Sequence, residues 1–457
     1  MIRIAFISAN QYAIPYPVYP IGVSYLMTYI RNRLPEAEVE LFDCGRQDME
    51  ALGAFCRKAP WNLIGVSLRN IDDVNIFEKN CFVAHYQRVM RIIREESDAP
   101  VVIGGPAFSI FPEALFRTLR PDFGIIGEGE ETLFQLVQSV VHRRPYEQIE
   151  GLVWQDGEDN VTINPHVSYI SAPEVRFDPE AVPYYYANSG MLNVQTKRGC
   201  PFHCIYCTYP LIDGRTVRTL DARTVVANIE EAWFKHQVSY FFFTDSVFNI
   251  HPAYNEELAR RLIESRAKIR WGAYFSPYKL TYNELKLYQD AGLTHIEWGT
   301  DTLSDQQLIN YGKNFTFEDI RRTSRYAEEL GIFYAHFLIL GGYGETDETL
   351  QETFSRSATL GPTVFFPFIG MRIYPRTALY DIAVREGVIA DQTALVNPVY
   401  YVSPHADLSR LAVQARATGA TWIFPDDDHS EMMLRFRKKK IRGPLWEYLR
   451  YTHSMPQ

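Results

Sequence analysis

The sequence predicts an α/β protein in which a doubly wound parallel sheet is followed by a partial (β/α) barrel and a small C-terminal extension. Three observations predict it. Short apolar runs alternate with amphipathic stretches across residues 1–150, the same alternation returns from 191 to about 385, and a proline-bearing stretch separates the two. Alternating strands and helices with short connections build parallel sheets that are covered on both faces. A chain of 457 residues also suggests about three folding units.

The first unit, residues 1–150, carries candidate strands and helices in alternation. The strands are expected at 2–8, 39–42, 63–67, 101–104 and 123–126. The helices are expected at about 21–34, 46–57, 79–96, 112–118 and 131–142. A long aromatic loop, 9–20, follows the first strand. Because parallel sheets bind ligands at the carboxyl ends of their strands, we expect this loop at a ligand-binding edge.

Residues 151–190 predict a linker that contains a hairpin, since alternating residues flank an Asp-Gly turn and several prolines follow it. From 191 to 385, strand and helix patterns alternate as in a partial (β/α)6 barrel. The barrel strands are expected near 193–197, 239–245, 271–275, 295–299, 334–340 and 364–373. Residues 386–457 form a weakly patterned C-terminal extension with a basic run at 435–442.

The composition is that of an ordinary globular chain and excludes several function classes. Asp plus Glu outnumber Lys plus Arg by 55 to 46, so nucleic-acid binding is not expected. With 46% hydrophobic residues the chain is too apolar to be disordered. No run of about 18 uncharged apolar residues occurs, so no membrane span is expected. The N-terminus has the pattern of a buried strand and not of a signal peptide, which favours a cytoplasmic protein.

Three cysteines cluster in one loop after the first expected barrel strand. Cys200, Cys204 and Cys207 have the spacing Cys-x3-Cys-x2-Cys. Three thiolates so spaced can hold three irons of a [4Fe–4S] cluster and leave the fourth iron open to another ligand. Two alternatives are a zinc ion held by the same cysteines with His203, and no metal at all. The other cysteines are scattered and indicate reduced thiols, because structural disulfides are rare in cytosolic chains.

With Tyr206 before the last cysteine, the segment 197–207 resembles the motif Cys-x3-Cys-x-aromatic-Cys of the radical S-adenosylmethionine (SAM) superfamily. The resemblance implies a cluster whose open iron chelates SAM, and reductive cleavage of SAM to a 5′-deoxyadenosyl radical. It also implies that the three cysteines are the catalytic cluster ligands and that Tyr206 lies at the cofactor. Chemistry of this kind belongs to the cofactor, while the protein positions and shields it.

Later segments resemble the strand ends with which this superfamily contacts SAM. Asp245 stands where relatives contact the SAM amino group, although it departs from the common Gly-Gly-Glu form. Glu297 resembles a ribose- or SAM-facing carboxylate, and Gly341 and Gly342 resemble the glycine-rich strand end near the adenine. Arg372, after the last strand, is expected either to face the cofactor or to form a structural salt bridge. These positions share the carboxyl-terminal face, where barrels carry out chemistry.

The first unit resembles the Rossmann-like cobalamin (B12)-binding domain of one subgroup of that superfamily. The resemblance implies that two turns receive the cobalamin tail, whereas the alternative is two ordinary βα turns. The turn residues are Gly104, Gly105, Pro106, Gly127, Glu128 and Gly129. The Asp-x-His-x-x-Gly motif that gives cobalt a histidine is absent, and the first histidine of the chain is His85. Arg69 is expected either beneath the cobalt or in an ion pair with Asp72 or Asp73.

The resemblance implies three candidate functions. The first is a cobalamin-dependent methyltransferase that acts on an unactivated carbon in lipid or natural-product biosynthesis. The second keeps the radical but catalyses cyclisation, dehydration or oxidation, with a cobalamin domain that can be degenerate. The third is a corrinoid-binding sensor or carrier. The expected partners are a small-molecule substrate and a reductant such as flavodoxin or ferredoxin; the basic run 435–442 is either a docking site or a solvated helix face.

Overall fold

The computed structural model describes residues 2–157, 160–170, 173–428 and 430–449. The strands of its first unit are β1 (Arg3–Ser8), β2 (Glu38–Asp43), β3 (Leu63–Ser67), β4 (Val101–Gly104), β5 (Phe123–Ile125), β6 (Leu152–Gln155) and β7 (Val161–Ile163). The helices are α1 (Ile21–Arg33), α2 (Glu50–Arg57), α3 (Val83–Glu96), α4 (Pro106–Ile110), α5 (Pro112–Leu119) and α6 (Glu130–His142).

The first sheet has the order β2-β1-β3-β4-β5-β6-β7, and its first five strands are parallel. Side chains alternate along β1, so Ala5 and Ile7 join a core with α2 and α3, whereas Ile4 and Phe6 join another with α1 and α6. Both faces are therefore covered, which confirms the predicted doubly wound sheet. The hairpin that the sequence assigns to a linker forms β6 and β7, and these extend the sheet antiparallel to β5.

The strands of the second unit are β8 (Leu192–Val194), β9 (Lys197–Arg198), β10 (Arg218–Thr219), β11 (Tyr240–Phe243), β12 (Arg270–Phe275), β13 (Leu293–Asp301), β14 (Phe333–Leu340), β15 (Val364–Ile369), β16 (Met371–Arg372), β17 (Tyr400–Tyr401) and β18 (Thr421–Trp422). The helices are α7 (Ala181–Ser189), α8 (Tyr209–Ile212), α9 (Ala222–His236), α10 (Pro252–Glu264), α11 (Tyr282–Asp290), α12 (Asp305–Asn310), α13 (Phe317–Glu329), α14 (Asp347–Ser357), α15 (Ala378–Arg385), α16 (Leu411–Ala417), α17 (Ser430–Lys438) and α18 (Trp446–Leu449).

The second sheet is an open barrel of parallel strands with the order β18-β15-β14-β13-β12-β11-β8. Six of these strands are the predicted ones. The seventh, β18, comes from the C-terminal extension and pairs with β15 at Val364 and Phe365. It is only two residues long, too short for a periodic pattern, which is why the sequence does not reveal it.

The register of β13 shows which side chains face the inside of the barrel. Ile296 and Trp298 lie in the core between the sheet and the outer helices. Because successive side chains of a strand point to opposite faces, His295, Glu297 and Asp301 face inward. The inner face of the barrel thus carries polar groups.

The C-terminal extension covers the amino-terminal end of the barrel. Trp446 and Leu449 of α18 are buried against Ala335 and Val364, two inward-facing residues near the starts of β14 and β15. Helix α17 contributes Met432 to the same cluster. Across the described ranges, no helix is both long and apolar enough to cross a membrane.

Candidate active site

The loop that carries the cysteines is fixed by a buried ion pair. Asp245, after β11, accepts hydrogen bonds from the backbone N–H groups of Thr196 (2.6 Å) and Lys197 (2.9 Å), just before the cysteine loop. The Lys197 ammonium lies 2.9 Å from the same carboxylate, and both side chains are 1% exposed. In this structure the Asp245 carboxylate therefore holds the loop in place, and its contact with SAM stays a prediction.

The three thiols lie close enough to interact electrostatically. Cys200 is buried and the other two are half-buried. Burial raises the pKa of Cys204, and it raises that of Cys207 to about 12, with the neighbouring thiols adding to both shifts. Positive charge is therefore needed to hold all three as thiolates, which an iron–sulfur cluster supplies.

The zinc alternative finds no support in the loop. His203 accepts a hydrogen bond from Arg215 at its Nδ1 atom (3.2 Å). Within the described ranges, no three His, Cys, Asp or Glu side chains surround a point where a single metal ion would sit. A cluster differs from a single ion because each cysteine binds a separate iron. The residues present fit the cluster.

A buried lysine that the sequence analysis missed lies beside the cysteines. Lys313 contacts Asp301 at 2.6 Å, and both side chains are 8% exposed. Tyr206 donates a hydrogen bond to the same carboxylate. Burial disfavours the charge on Lys313, but Asp301 and Cys204 outweigh this and raise the pKa of Lys313. The aromatic residue of the motif is thus tied to a charged pair at the carboxyl end of β13.

Arg69 is buried between the two units, and no acidic side chain in the described part of the chain forms an ion pair with it. Its guanidinium is in electrostatic range of the hydroxyls of Tyr274 and Tyr209 from the barrel. Asp72 is paired elsewhere, and Asp73 accepts from Asn80 at 2.7 Å. The ion-pair alternative for Arg69 is therefore not what the structure shows, and its place beneath cobalt stays a prediction.

The partner of Asp72 is Arg372, which the sequence placed either at SAM or in a salt bridge. The two groups are 2.9 Å apart, and their side chains are 2% and 0% exposed. The remaining donors of Arg372 reach the carbonyls of Ile373 and Leu395, both at 2.6 Å. This geometry supports the salt bridge, and a SAM contact stays an untested prediction.

The predicted turns lie where parallel strands end, at the edge that faces the barrel. Gly105 has φ of 96°, and a Cβ there would lie 2.7 Å from the carbonyl oxygen of Leu68, so the turn requires glycine. Gly104 ends β4 and Pro106 begins α4. Gly127 and Gly129 flank Glu128 in the turn before α6. Whether these turns hold the cobalamin tail stays a prediction.

Glu128 links this turn to the cysteine loop. Its buried carboxylate forms ion pairs with Arg218 and, at 3.6 Å, with Arg198, the two facing residues of the β9–β10 pair. Arg198 also contacts Glu130 at 2.7 Å. The first unit is therefore attached to the cysteine loop by a charged network, which is the role that the structure shows for Glu128.

The glycine-rich end of β14 packs tightly against the protein itself. Gly341 has φ of 76°, and a Cβ on Gly342 would lie 2.4 Å from the hydroxyl of Tyr311. Glu345 closes this turn by accepting from the Gly341 N–H at 3.2 Å. The two glycines lie at the carboxyl-terminal edge of the sheet, and their contact with adenine stays a prediction.

Glu297 lies deeper in the barrel than the cysteine loop. It is four residues before Asp301 on the same strand, a rise of about 13 Å. Tyr16 of the aromatic loop and Tyr274 of β12 are both in electrostatic range of its carboxyl group. The sequence singled out the aromatic loop, but only the fold brings Tyr16 to Glu297.

The two units and the cysteine loop match two known domain families. The model of the radical SAM superfamily matches residues 194–356, and the model of the B12 binding domain matches residues 11–137. The chain carries a radical SAM domain and a B12-binding domain. Both matches fall on the units that the sequence assigned to these families, so the predicted superfamily and subgroup are confirmed.

Relatives of this radical SAM protein include enzymes with different reactions. Tryptophan 2-C-methyltransferase of Streptomyces laurentii is 25% identical over 442 residues, which cover 82% of this chain and 73% of the relative. Anaerobic magnesium-protoporphyrin IX monomethyl ester cyclase of Cereibacter sphaeroides is 30% identical over 272 residues, which cover 55% of this chain and 43% of the relative. The first is a methyltransferase by name and the second a cyclase.

Two solved structures share the whole architecture. The methyltransferase TsrM from Kitasatospora setae, with cobalamin and a [4Fe–4S] cluster bound, superposes with a TM-score of 0.85 at 22% identity and covers 98% of this chain and 97% of its own. The cobalamin-dependent SAM radical enzyme OxsB superposes with a TM-score of 0.74 at 16% identity, covering 99% and 70%. These likenesses show the fold.

This radical SAM protein is an enzyme, and its two matched families imply SAM, a [4Fe–4S] cluster and cobalamin as its cofactors. The clustered thiols fit the cluster. The residues at the B12-binding domain favour cobalamin without a histidine ligand, because His85 is bonded through Nε2 to the Ala9 carbonyl (2.8 Å) and no acidic side chain of the described residues forms an ion pair with Arg69. The predicted enzyme class and cofactors are therefore confirmed.

Proposed function

We propose that this enzyme methylates an unactivated carbon of an apolar or ring-bearing small molecule in lipid or natural-product biosynthesis. When bound, its cofactors supply a carbon-centred radical and a methyl group. One observation carries the proposal. Tyr209, two residues after Cys207, lies in electrostatic range of both that thiol and Arg69. The cysteine loop and the cobalamin-side cleft therefore open onto one space, where a single substrate can meet both cofactors.

The residues around this space hold charge and exclude water. Lys313 and Asp301 form a buried ion pair beside the cysteines, so fixed charges lie next to the cysteine loop. Phe337 and Phe366 stack at 5.2 Å on the inner face of the barrel. Aromatic walls of this kind bind apolar substrates and keep reactive intermediates from water.

A second candidate function is radical cyclisation or oxidation without methylation. It is favoured by the 30% identity to the magnesium-protoporphyrin cyclase over 272 residues. The two candidates are separated by anaerobic reconstitution with iron, sulfide and hydroxocobalamin, followed by turnover with SAM carrying a labelled methyl group. Stoichiometric corrinoid and labelled product support methylation. Full activity of corrinoid-free enzyme would eliminate it.

Arg69 is the residue that we propose for the lower face of the corrin. In the variant Arg69→His, an imidazole that can bind cobalt replaces a guanidinium cation that cannot. We expect corrinoid content to stay unchanged, while the electron paramagnetic resonance spectrum of the cob(II)alamin form gains nitrogen hyperfine splitting that the parent lacks. The matched control is Arg88→His, on exposed helix surface nearby. Identical spectra of the parent and Arg69→His would reject this placement.

We propose a flavodoxin or ferredoxin as the electron donor, but with docking away from the basic run 435–442. Phe436 packs against the same cluster as Phe333, the first residue of β14, so this segment lies at the amino-terminal end of the barrel. The cysteine loop follows the carboxyl end of β8, at the opposite end. Short transfer distances therefore favour an approach from the cysteine-loop side.

A further inference from the structure

We propose that Glu297 is the substrate-recognition group of the barrel and that its carboxyl group binds the N–H group of an aromatic nitrogen compound. The C-terminal helix α18 forms the floor beneath Glu297. This inference rests on the proposed function, since it names the substrate class of the same space. It commits to a heteroaromatic N–H or an aromatic ammonium, which share the chemistry of an N–H donor on a flat apolar body.

The Glu297 carboxyl group is buried without an ion pair. It is 7% exposed, and no Lys, Arg or His of the described chain comes within 4.0 Å of it. Burial raises the pKa of Glu297 to about 7, opposed only by the indole of Trp446. An uncompensated buried carboxyl group costs stability, and such groups concentrate at functional sites. Two other buried carboxylates of this barrel, Asp245 and Asp301, each have a lysine partner, and the buried Glu345 accepts hydrogen bonds from Thr349 and the Gly341 N–H.

The floor beneath Glu297 offers no cation to pair with it. The His295 ring lies 5.5 Å from the Trp446 ring, and burial lowers the pKa of His295 to about 3, so the imidazole is neutral. The His295 Nε2 atom is buried and has no hydrogen-bond partner among the described residues, whereas the Trp446 indole N–H interacts with the Glu297 carboxyl group. His295 and Glu297 lie on the same inward-facing side of β13.

The inward-facing side chains of the barrel around Glu297 are aromatic, and some of them keep solvent-accessible surface. Tyr274 and Phe368 each retain 39% exposure. Phe242 packs edge-on against Tyr274 with ring centroids 5.0 Å apart. Flat apolar walls around one carboxylate select a flat molecule that donates from nitrogen. Tyr16 of the loop 9–20 packs against the cluster that contains Phe242 and lies in electrostatic range of Glu297.

Binding is tested by anaerobic equilibrium dialysis of the reconstituted enzyme without reductant, so that no turnover occurs. Three probes isolate the donor: indole has a ring N–H, benzylamine has an ammonium, and 1-methylindole has neither. We expect indole or benzylamine to bind at least about tenfold more tightly than 1-methylindole, as for a hydrogen bond to a charged group. The preferred probe identifies the donor. Equal binding of all three, or binding of none, overturns the proposal.

Glu297→Gln should remove the preference for benzylamine. The matched control is Glu345→Gln, because burial also raises the pKa of Glu345 to about 7, but its carboxyl group is bonded to Thr349 (2.6 Å) and lies in the glycine-rich turn. Iron and corrinoid contents confirm that each variant is loaded. If Glu297→Gln bound benzylamine as tightly as the parent, Glu297 would not be the group that binds the ligand.

The pH dependence provides a readout that does not depend on that variant. Benzylamine stays protonated from pH 6 to 8, so its affinity should rise as Glu297 loses its proton near pH 7. Burial raises the pKa of Tyr16, Tyr240 and Tyr274, which interact with Glu297, and that of His295 is low, so none of these groups titrates there. Arg69, in range of Tyr16 and Tyr274, stays cationic. Farther from the carboxyl group, Glu447 of α18 lies 3.8 Å from His295 Nδ1, and Arg270 lies over the Tyr240 ring.

Trp446→Phe keeps the floor but removes the indole N–H that opposes the pKa rise. The midpoint of the benzylamine pH profile should therefore move to higher pH, which a purely packing role of Trp446 would not cause. An unchanged midpoint rejects Trp446 as a positioning residue. The binding measurements involve no turnover, so loss of the expected binding preference in enzyme with normal corrinoid content leaves the proposed methylation standing. Activity without corrinoid would instead reject methylation and leave this binding site standing.

Discussion

Cys204→Ala abolishes cluster assembly and SAM cleavage. Three thiolates are the fewest that hold a [4Fe–4S] cluster with one open iron, and burial already opposes their ionisation, so two cannot compensate for the third. We expect iron and sulfide contents of the anaerobically reconstituted variant to fall to near zero, and 5′-deoxyadenosine formation from SAM to become undetectable. Metal analysis, the visible absorption spectrum and chromatography of the products measure these effects.

Cys81→Ala is the matched control for this variant. Cys81 is a half-buried free thiol outside the loop, and its Sγ lies 3.7 Å from the Val396 carbonyl oxygen. It should retain the parental iron content and SAM cleavage. A Cys204→Ala enzyme that keeps its cluster and cleaves SAM would contradict the whole assignment of the barrel.

Arg372→Met destabilises the enzyme by about 3–5 kcal/mol, the usual cost of leaving one charge of a buried pair alone. The loss follows from the burial of Asp72, which would keep an uncompensated carboxylate in the contact between the two units. The double variant Asp72→Leu with Arg372→Met should recover much of the loss, because apolar replacement of both charges removes the desolvation cost. Urea unfolding followed by circular dichroism under anaerobic conditions provides the measurement.

This prediction also separates the two roles that the sequence allowed for Arg372. Arg385→Met is the control, since Arg385 is exposed and lies 3.9 Å from Glu386; its effect should stay within about 0.5 kcal/mol. If Arg372→Met unfolded like the parent but bound SAM more weakly, the cofactor contact would be correct and the structural role wrong.

The parts of the fold that the sequence predicts are those with local patterns. The parallel strands β3 and β4 appear at the predicted residues, because a short apolar run bounded by turn residues is a complete local signal. The cysteine spacing is equally local, since eight consecutive residues supply all the thiols. Tyr206 belongs to the same segment, so its position at the cluster loop follows from the motif.

The partners of the charged residues depend on contacts between distant parts of the chain. Arg372 and Asp72 are 300 residues apart, and nothing in either local segment favours this pair over an Arg69–Asp72 pair. Lys313 has no motif of its own and becomes notable only when α12 brings it to Asp301. Trp446 lies in the weakly patterned C-terminal extension, and its approach to Glu297 depends on how the last helix packs against the barrel.

By itself, the sequence determined the two parallel-sheet units, the cluster ligands and the cofactor class, because each is encoded within a short stretch of chain. The tertiary structure decided which carboxylates are neutralised and which are left facing the chamber. The physical reason is that burial and charge pairing are properties of the packed whole: a glutamate in β13 acquires its raised pKa only once the aromatic loop, the barrel wall and the C-terminal helix have excluded water around it.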